Sequence, residues 1–360
     1  MHRRCWLLSL LGSVLAGPAR PALDNEPGRT GLQFPRDFGA HPGTRIEWWY
    51  ATGTLNSAER VYGFQVTFFR AATGLAAQHP SRFAAEQLVF AHAALSDLPQ
   101  RRLRHDERIA RSGFGIAGAA ERDTDVVLRD WRFAREGPPH RSRYRAHLSS
   151  DAAGFGLDLV LDATQPVLLQ GVGGLSRKGP RAEQSSRYYS QPQLGVSGTL
   201  KVGGVASTVT GRAWLDHEWS DAFLDPDAIG WDWIGMNLDD GSALTAFRLR
   251  RRDGSALYAG GSFRPPGEAA RNFAPHEVAF TPGRRWSSGS SKASYPVEWT
   301  VDTPAGRHTV RALLDDQELD SRASTGAIYW EGVSDLLDAR GERVGRGYLE
   351  MTGYAAALKL

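Results

Sequence analysis

Apolar and polar positions alternate along most of this chain with the period of a β-strand. Gly63-Phe64-Gln65-Val66-Thr67-Phe68 alternates, as does Leu88 to Leu95, which places Phe90 and His92 on one face. Similar short runs follow at Asp125 to Phe133, Tyr144 to Leu148, Phe155 to Leu161 and Val196 to Val202, punctuated by Gly, Asp, Asn and Pro. Lys201-Val202-Gly203-Gly204-Val205 predicts a tight hairpin. Sustained helical periodicity is rare; residues 81–87 and Leu314 to Leu319 predict short helices or loops. The pattern predicts an all-β protein.

Two tryptophan-rich stretches open related patterns. Glu47-Trp48-Trp49-Tyr50 leads to Leu55, a polar turn and the run Val61 to Arg70. Gly230-Trp231-Asp232-Trp233 leads to Leu238, Asp239-Asp240-Gly241 and the run Leu244 to Leu249. Phe69-Arg70 rhymes with Phe247-Arg248. A recurring strand–turn–strand unit predicts two related β-domains, placed at residues 30–222 and 226–360. Pro166 to Ser190 interrupts the rhythm and reads as a lid or a linker, and Arg264 to Asn272 as a surface loop.

The first 22 residues read as an export leader. Arg3-Arg4 precede the apolar run Cys5 to Leu15, and small residues follow. The run is too short for a membrane span, and Arg3-Arg4 loosely resembles a twin-arginine signal. The expected location is the periplasm or the medium of a bacterium. The whole chain has 43 Lys+Arg against 40 Asp+Glu. Arg3, Arg4 and Arg20 leave with the leader, so the mature chain is formally neutral and carries no bulk charge that favours nucleic acid. Cys5 is the only cysteine. The mature chain thus has no disulfide, no thiolate nucleophile and no cysteine-bound zinc.

The residues with chemical potential lie beside aromatic rings. Asp216-His217-Glu218-Trp219 combines two acids, a histidine and an indole. In an extended segment Asp216 and Glu218 share one face, His217 and Trp219 the other. Glu47 and Asp232 are further acids beside tryptophans. A carboxyl buried among rings has its pKa raised and can donate a proton at neutral pH. Ring faces stabilise developing positive charge, and a histidine can position water. We therefore take Asp216, His217, Glu218 and Glu47 as candidate catalytic groups. Trp48, Trp49, Tyr188, Tyr189, Trp219, Trp231, Asp232, Trp233 and His92 are candidate ligand contacts. Each tryptophan has core packing as its alternative reading, and His92 a hydrogen-bonded place in the core. There is no Gly-x-Ser-x-Gly elbow, no second histidine for a zinc helix and no phosphate-binding glycine loop.

Six blocks together carry a family resemblance: Glu47-Trp48-Trp49-Tyr50, Leu169-Gln170-Gly171 with Lys178-Gly179, Tyr188-Tyr189-Ser190, Trp214 to Trp219, Gly230 to Trp233, and Gly347 to Tyr354. In this order they resemble the AttH-like, carotenoid 1,2-hydratase (hydroxyneurosporene synthase) superfamily. The resemblance implies two tandem lipocalin-like β-barrels packed together, with no metal or organic cofactor. It is closer to the exported AttH-like branch, often called secreted hydrolases, than to true carotenoid hydratases, which usually carry Asn where Glu218 stands. The expected function is binding of a small hydrophobic, isoprenoid- or lipid-like ligand, with hydratase-like acid–base chemistry on a C=C bond or simple carriage as the two readings. A protein of this kind is expected to meet a membrane surface or a transporter transiently.

Overall fold

The structure, a computed structural model, describes residues 31–358 apart from Glu59, 76–78, Arg82 and 222–223. The expected leader, residues 1–22 with Arg3, Arg4 and Cys5, lies outside the described residues. Among the described residues the regular elements are strands and three single-turn 3-10 segments. No helix among them is long and apolar enough to cross a membrane.

An antiparallel sheet of thirteen described strands spans Ile46 to Ser220. Its order runs from Arg102–Arg111 through Gln87–Asp97, Arg60–Ala72, Ile46–Ser57, Val205–Ser220 and Ser185–Val202 to Phe155–Asp162, then by successive hairpins to Ala117–Ala119. The two ends of this path come together where Arg102–Arg111 meets Asp125–Leu128, so the sheet is a nearly closed barrel. Alternate side chains fill its interior solidly, with Trp49, Phe64, Phe68, Trp131, Phe133 and Tyr144 among them. A second sheet of ten described strands carries Gly230–Leu238, Ala243–Arg250, Ala327–Leu337 and Arg343–Met351 at its centre. It wraps Ile234, Met236, Tyr295, Trp299 and Trp330. The expected all-β architecture of two barrels in tandem is what the structure shows.

Several local expectations change. Asp125 to Phe133 is not one strand, because Arg129 adopts φ 59° and turns Asp125–Leu128 back onto Trp131–Glu136. Pro166 to Ser190 is neither a lid nor a linker. Leu168–Leu169 and Leu175–Arg177 pair with the long strand that begins at Ser185, so the segment folds back onto the barrel wall. Of the two readings of Leu314 to Leu319 the loop holds, over residues 314–317, which run into the strand Glu318–Ser321. The hairpin at Gly203-Gly204 forms as read, with φ 56° and 87° at the two glycines and Val202 opposite Val205.

The barrels pack wall to wall. Gly63 permits the approach, since a Cβ there would lie 2.7 Å from the Tyr348 hydroxyl and 2.8 Å from Val333 of the second barrel. A bulge after Gln191 projects Gln193, whose backbone N–H donates to Asn237 Oδ1 (2.7 Å) and whose amide donates to Leu238 O and Ser242 O.

The pairing register refines the repeat. Trp48 stands opposite Phe69 and Glu47 opposite Arg70. In the second hairpin Trp233 stands opposite Phe247 and Asp232 opposite Arg248. The structural counterpart of Glu47-Trp48 is therefore Asp232-Trp233, two residues beyond the counterpart suggested by the leading tryptophans. A shift of two keeps every side chain on its own face. On the other flank Trp48 faces Glu218 and Trp233 faces Glu350, so each tryptophan has a cross-strand glutamate.

Candidate functional site

Strand alternation sends one face of each central strand into its own barrel and the other face towards the neighbouring barrel. Between the two walls lies a mostly apolar chamber of about 420 Å³. Its aromatic lining includes Trp48, Tyr50, Tyr188, Trp231, Trp233 and Phe247, and its ionisable groups include Asp216, Glu218, Glu331, Glu350, Lys178 and His92. A concave apolar site with a few convergent polar groups is the usual form of a small-molecule site.

Asp216 and Glu218 point the same way from Val205–Ser220, beside Tyr188 on the adjacent strand. Asp216 Oδ1 accepts from the Trp214 indole N–H (2.7 Å) and from the Ser190 hydroxyl (2.5 Å). Burial nevertheless pushes its pKa up to about 7; the bonds from Ser190, Trp214 and Tyr188 oppose the shift only in part, and the nearby Glu218 adds to it. Glu218 is differently placed. Lys178 Nζ lies 2.9 Å from its Oε1, and the Ser186 hydroxyl donates to the same oxygen. The ammonium also sits 4.4 Å from the centre of the Tyr188 ring and 4.8 Å from that of Phe247, so it bridges the barrels.

The second barrel contributes Glu350 and Glu331, cross-strand neighbours on Arg343–Met351 and Ala327–Leu337. Burial pushes Glu350 up to about 7, opposed by a hydrogen bond from Trp231 and raised further by Asp216 and Glu218. Glu331 is raised well above the usual carboxylate range by burial and then by the charge of Glu350. His92 faces the chamber from Gln87–Asp97, and burial lowers its pKa to about 3, so its ring is neutral. The ring bonds Tyr329 through Nδ1 and Ser324 through Nε2, both at 2.8 Å.

The remaining expected site residues lie elsewhere. His217, Trp49, Tyr189 and Trp219 belong to the opposite strand face and pack on one another, Trp49 within the core of the first barrel and Tyr189 and Trp219 in a separate cluster with Phe38. Glu47 borders the chamber, but its carboxylate is occupied: Oε1 bonds His41 Nδ1 (2.8 Å) and His217 Nε2 (2.9 Å), and Oε2 accepts from Arg70 Nε (2.9 Å). Burial alone would raise Glu47, but the hydrogen bonds from His217 and His41 outweigh it and hold the carboxyl below its ordinary range. Burial lowers His217 to about 4, against the pull of Glu47. A neutral His217 ring then donates from Nε2 to Glu47 and accepts from the Tyr189 hydroxyl at Nδ1 (3.1 Å). Asp232 is likewise an interior acid, bonded by Arg248 Nε and the Tyr354 hydroxyl, each at 2.8 Å. One face reversal separates these residues from the candidate site: Asp216, Glu218, Trp48, Tyr188, Trp231, Trp233 and His92 line the chamber, whereas His217, Trp49, Tyr189, Trp219 and Asp232 do not.

His41, Glu47 and His217 offer three ligand atoms within 4.8 Å of one another, a grouping that could hold a metal ion. Their atoms already bond one another, and the Arg70 guanidinium occupies the second carboxylate oxygen. A cation there would displace both imidazole bonds and lie beside a buried positive charge, so the donor set fits a closed hydrogen-bond network better than a metal.

Glu331, Glu350, Tyr50, Gln65 and Lys178 line the chamber but were not among the candidates. Glu331 follows Tyr329-Trp330, and Glu350 closes Gly347-Tyr348-Leu349. An acid beside rings on a strand was a signal present in both.

Against this geometry the comparisons with known proteins fall into place. The model of the AttH-like family matches residues 25–354. The crystal structure of a putative AttH protein from Nitrosomonas europaea is 48% identical in sequence, with a TM-score of 0.83, over 91% of this chain and 98% of that one. Kievitone hydratase from Nectria haematococca shares the fold with a TM-score of 0.69 over 94% of each chain, at 15% identity. These likenesses agree with two lipocalin-like barrels. No curated protein sequence matches the chain.

Proposed function

The chain belongs to the AttH-like family, and from that premise we propose that it binds an apolar, isoprenoid- or lipid-like molecule between its barrels and adds water across a C=C bond of it. The observation that carries the reading is Asp216, a buried carboxyl with a pKa near 7 on the wall of an aromatic chamber. A protonated Asp216 gives its proton to one alkene carbon. The faces of Trp48, Trp231 and Trp233 temper the positive charge that develops on the other, by about 0.5–2 kcal/mol for a good contact. Water adds there, and its surplus proton passes to the Glu218 carboxylate beside Lys178. Exchange with solvent returns both carboxyls to their starting states.

The 15% identity to a hydratase bears on the fold alone, and the proposal stands on the chamber. An exported protein with such a site would work at the cell envelope.

The test is turnover of candidate isoprenoid and polyene alkenes by the wild type and by Asp216→Asn, with water incorporation followed by mass spectrometry. We expect a loss of about 10²–10⁴-fold in kcat for the variant, with ligand binding retained. Wild-type activity should fall as pH rises through 7, because the donor form disappears as the raised pKa is crossed. Ligand recovered from the protein unchanged, with no turnover in the wild type, would make the protein a carrier instead.

A further inference from the structure

The chamber has a second polar corner, where three buried polar atoms of the wall have no partner among the described residues. They are the Tyr50 hydroxyl, Gln65 Oε1 and Glu331 Oε1. All three side chains are more than nine-tenths buried. Tyr50 lies beside Glu331 without reaching hydrogen-bond geometry. Leaving such groups unsatisfied is costly, so each calls for an occupant.

A chain of hydrogen bonds fixes what these atoms offer. Ser324 donates to the Glu107 carboxylate, so its oxygen accepts from His92 Nε2. The neutral His92 ring then accepts at Nδ1 from the Tyr329 hydroxyl. That hydroxyl in turn accepts from Gln65 Nε2 (3.1 Å), the nitrogen that also reaches Glu331 Oε2 (2.7 Å). The Gln65 amide is thereby oriented with its oxygen as the free acceptor. Glu331, kept neutral by burial, accepts at Oε2 and presents its proton at Oε1. Tyr50 can donate or accept. The corner therefore offers one fixed acceptor, one fixed donor and one adaptable hydroxyl, with no net charge.

We propose that this corner is a subsite for a neutral hydroxyl group, so that the ligand carries an alcohol or phenol on its apolar body. A hydroxyl donates to Gln65 Oε1 and accepts from Glu331 or Tyr50, which matches the set. A carboxylate or phosphate would face two glutamates and lacks a hydrogen for Gln65. The inference rests on the chamber being a ligand site, as proposed above, and names the chemical class it selects.

The test is tryptophan-fluorescence titration of the full chain with three probes of one skeleton: the alcohol farnesol, the hydrocarbon farnesene and the cation farnesylamine. Wild type is compared with Tyr50→Phe, which keeps the ring and removes a hydroxyl that has no partner among the described residues. We expect farnesol to bind about tenfold more tightly than farnesene, the worth of a net hydrogen bond in a buried site. Tyr50→Phe should shrink that ratio several-fold. Equal binding of farnesol and farnesene would overturn the subsite, leaving it to water, while keeping the chamber as a ligand site. A ratio unmoved by Tyr50→Phe, or tighter binding of farnesylamine than of farnesol, would also overturn it. Binding of no probe would overturn the chamber reading and the subsite with it.

Discussion

The two tryptophan hairpins are built alike and loaded differently. Each places an interior acid opposite an arginine, Glu47 with Arg70 and Asp232 with Arg248. Each sends the next residue, Trp48 or Trp233, into the shared chamber opposite a glutamate of the flanking strand. Inside the first barrel the acid is further bound by His41 and His217; inside the second it is bound by Tyr354 and approached by Arg250 Nε at 3.6 Å. In the chamber the contrast reverses. Glu218 has Lys178, whereas Glu350 has another buried acid, Glu331, beside it and is pushed up to about 7. Placement beside an indole therefore does not make an acid a proton donor. The lack of a close counter-charge does, because the hydrogen bond from Trp231 and the more distant Lys178 offset burial only in part.

This comparison can be broken first at the interior arginines. Arg70→Ala should destabilise the protein by about 3–5 kcal/mol, since it removes the cation beside a fully buried carboxylate and with it the bonds from its guanidinium to His41 O, Thr44 O and Thr44 Oγ1. Arg248→Ala should cost less, about 1–3 kcal/mol, because Arg250 and Tyr354 remain beside Asp232. Denaturant titration of both variants measures the difference, and equal losses would show that the two networks are equivalent after all.

A smaller effect is expected at Glu350. Its pKa is raised in the folded state, so the folded chain binds the proton more tightly and its stability falls as pH rises from about 4.5 through about 7. Glu350→Gln removes that loss. The variant should be more stable than the wild type by about 3 kcal/mol at pH 8 and indistinguishable from it at pH 4, as followed by thermal melts across pH.

The smallest effect should come from Lys178→Met, which leaves the Glu218 carboxylate in the situation of Glu350. We expect a loss of about 1–2 kcal/mol by denaturant titration, the cost of leaving a buried carboxylate without its cation. No loss would mean that methionine packed between Tyr188 and Phe247 replaces all that Lys178 supplies.

How far the candidate site was legible depended on distance along the chain. The segregation of Asp216 and Glu218 from His217 and Trp219 followed from strand period alone, and the faces observed are those faces. Which face meets the ligand was not legible, because both faces of residues 213–220 are buried, one towards the first barrel and one by the other barrel. Glu47 and Asp232 looked like pocket acids beside rings, yet their partners, Arg70 and Arg248, stand on the adjacent strand and turn them inward. His41, which completes the Glu47 network, stands outside any strand and carried no periodic signal.

By itself the sequence determined the strand pattern, the tandem repeat and the family, since each rests on local periodicity or on short contiguous blocks. Only the tertiary structure decided which acids share a chamber and which are neutralised. A buried carboxyl's chemistry is set by burial and by charges within a few ångströms, and those neighbours, Glu331 and Glu350 with Asp216, come from strands more than a hundred residues apart.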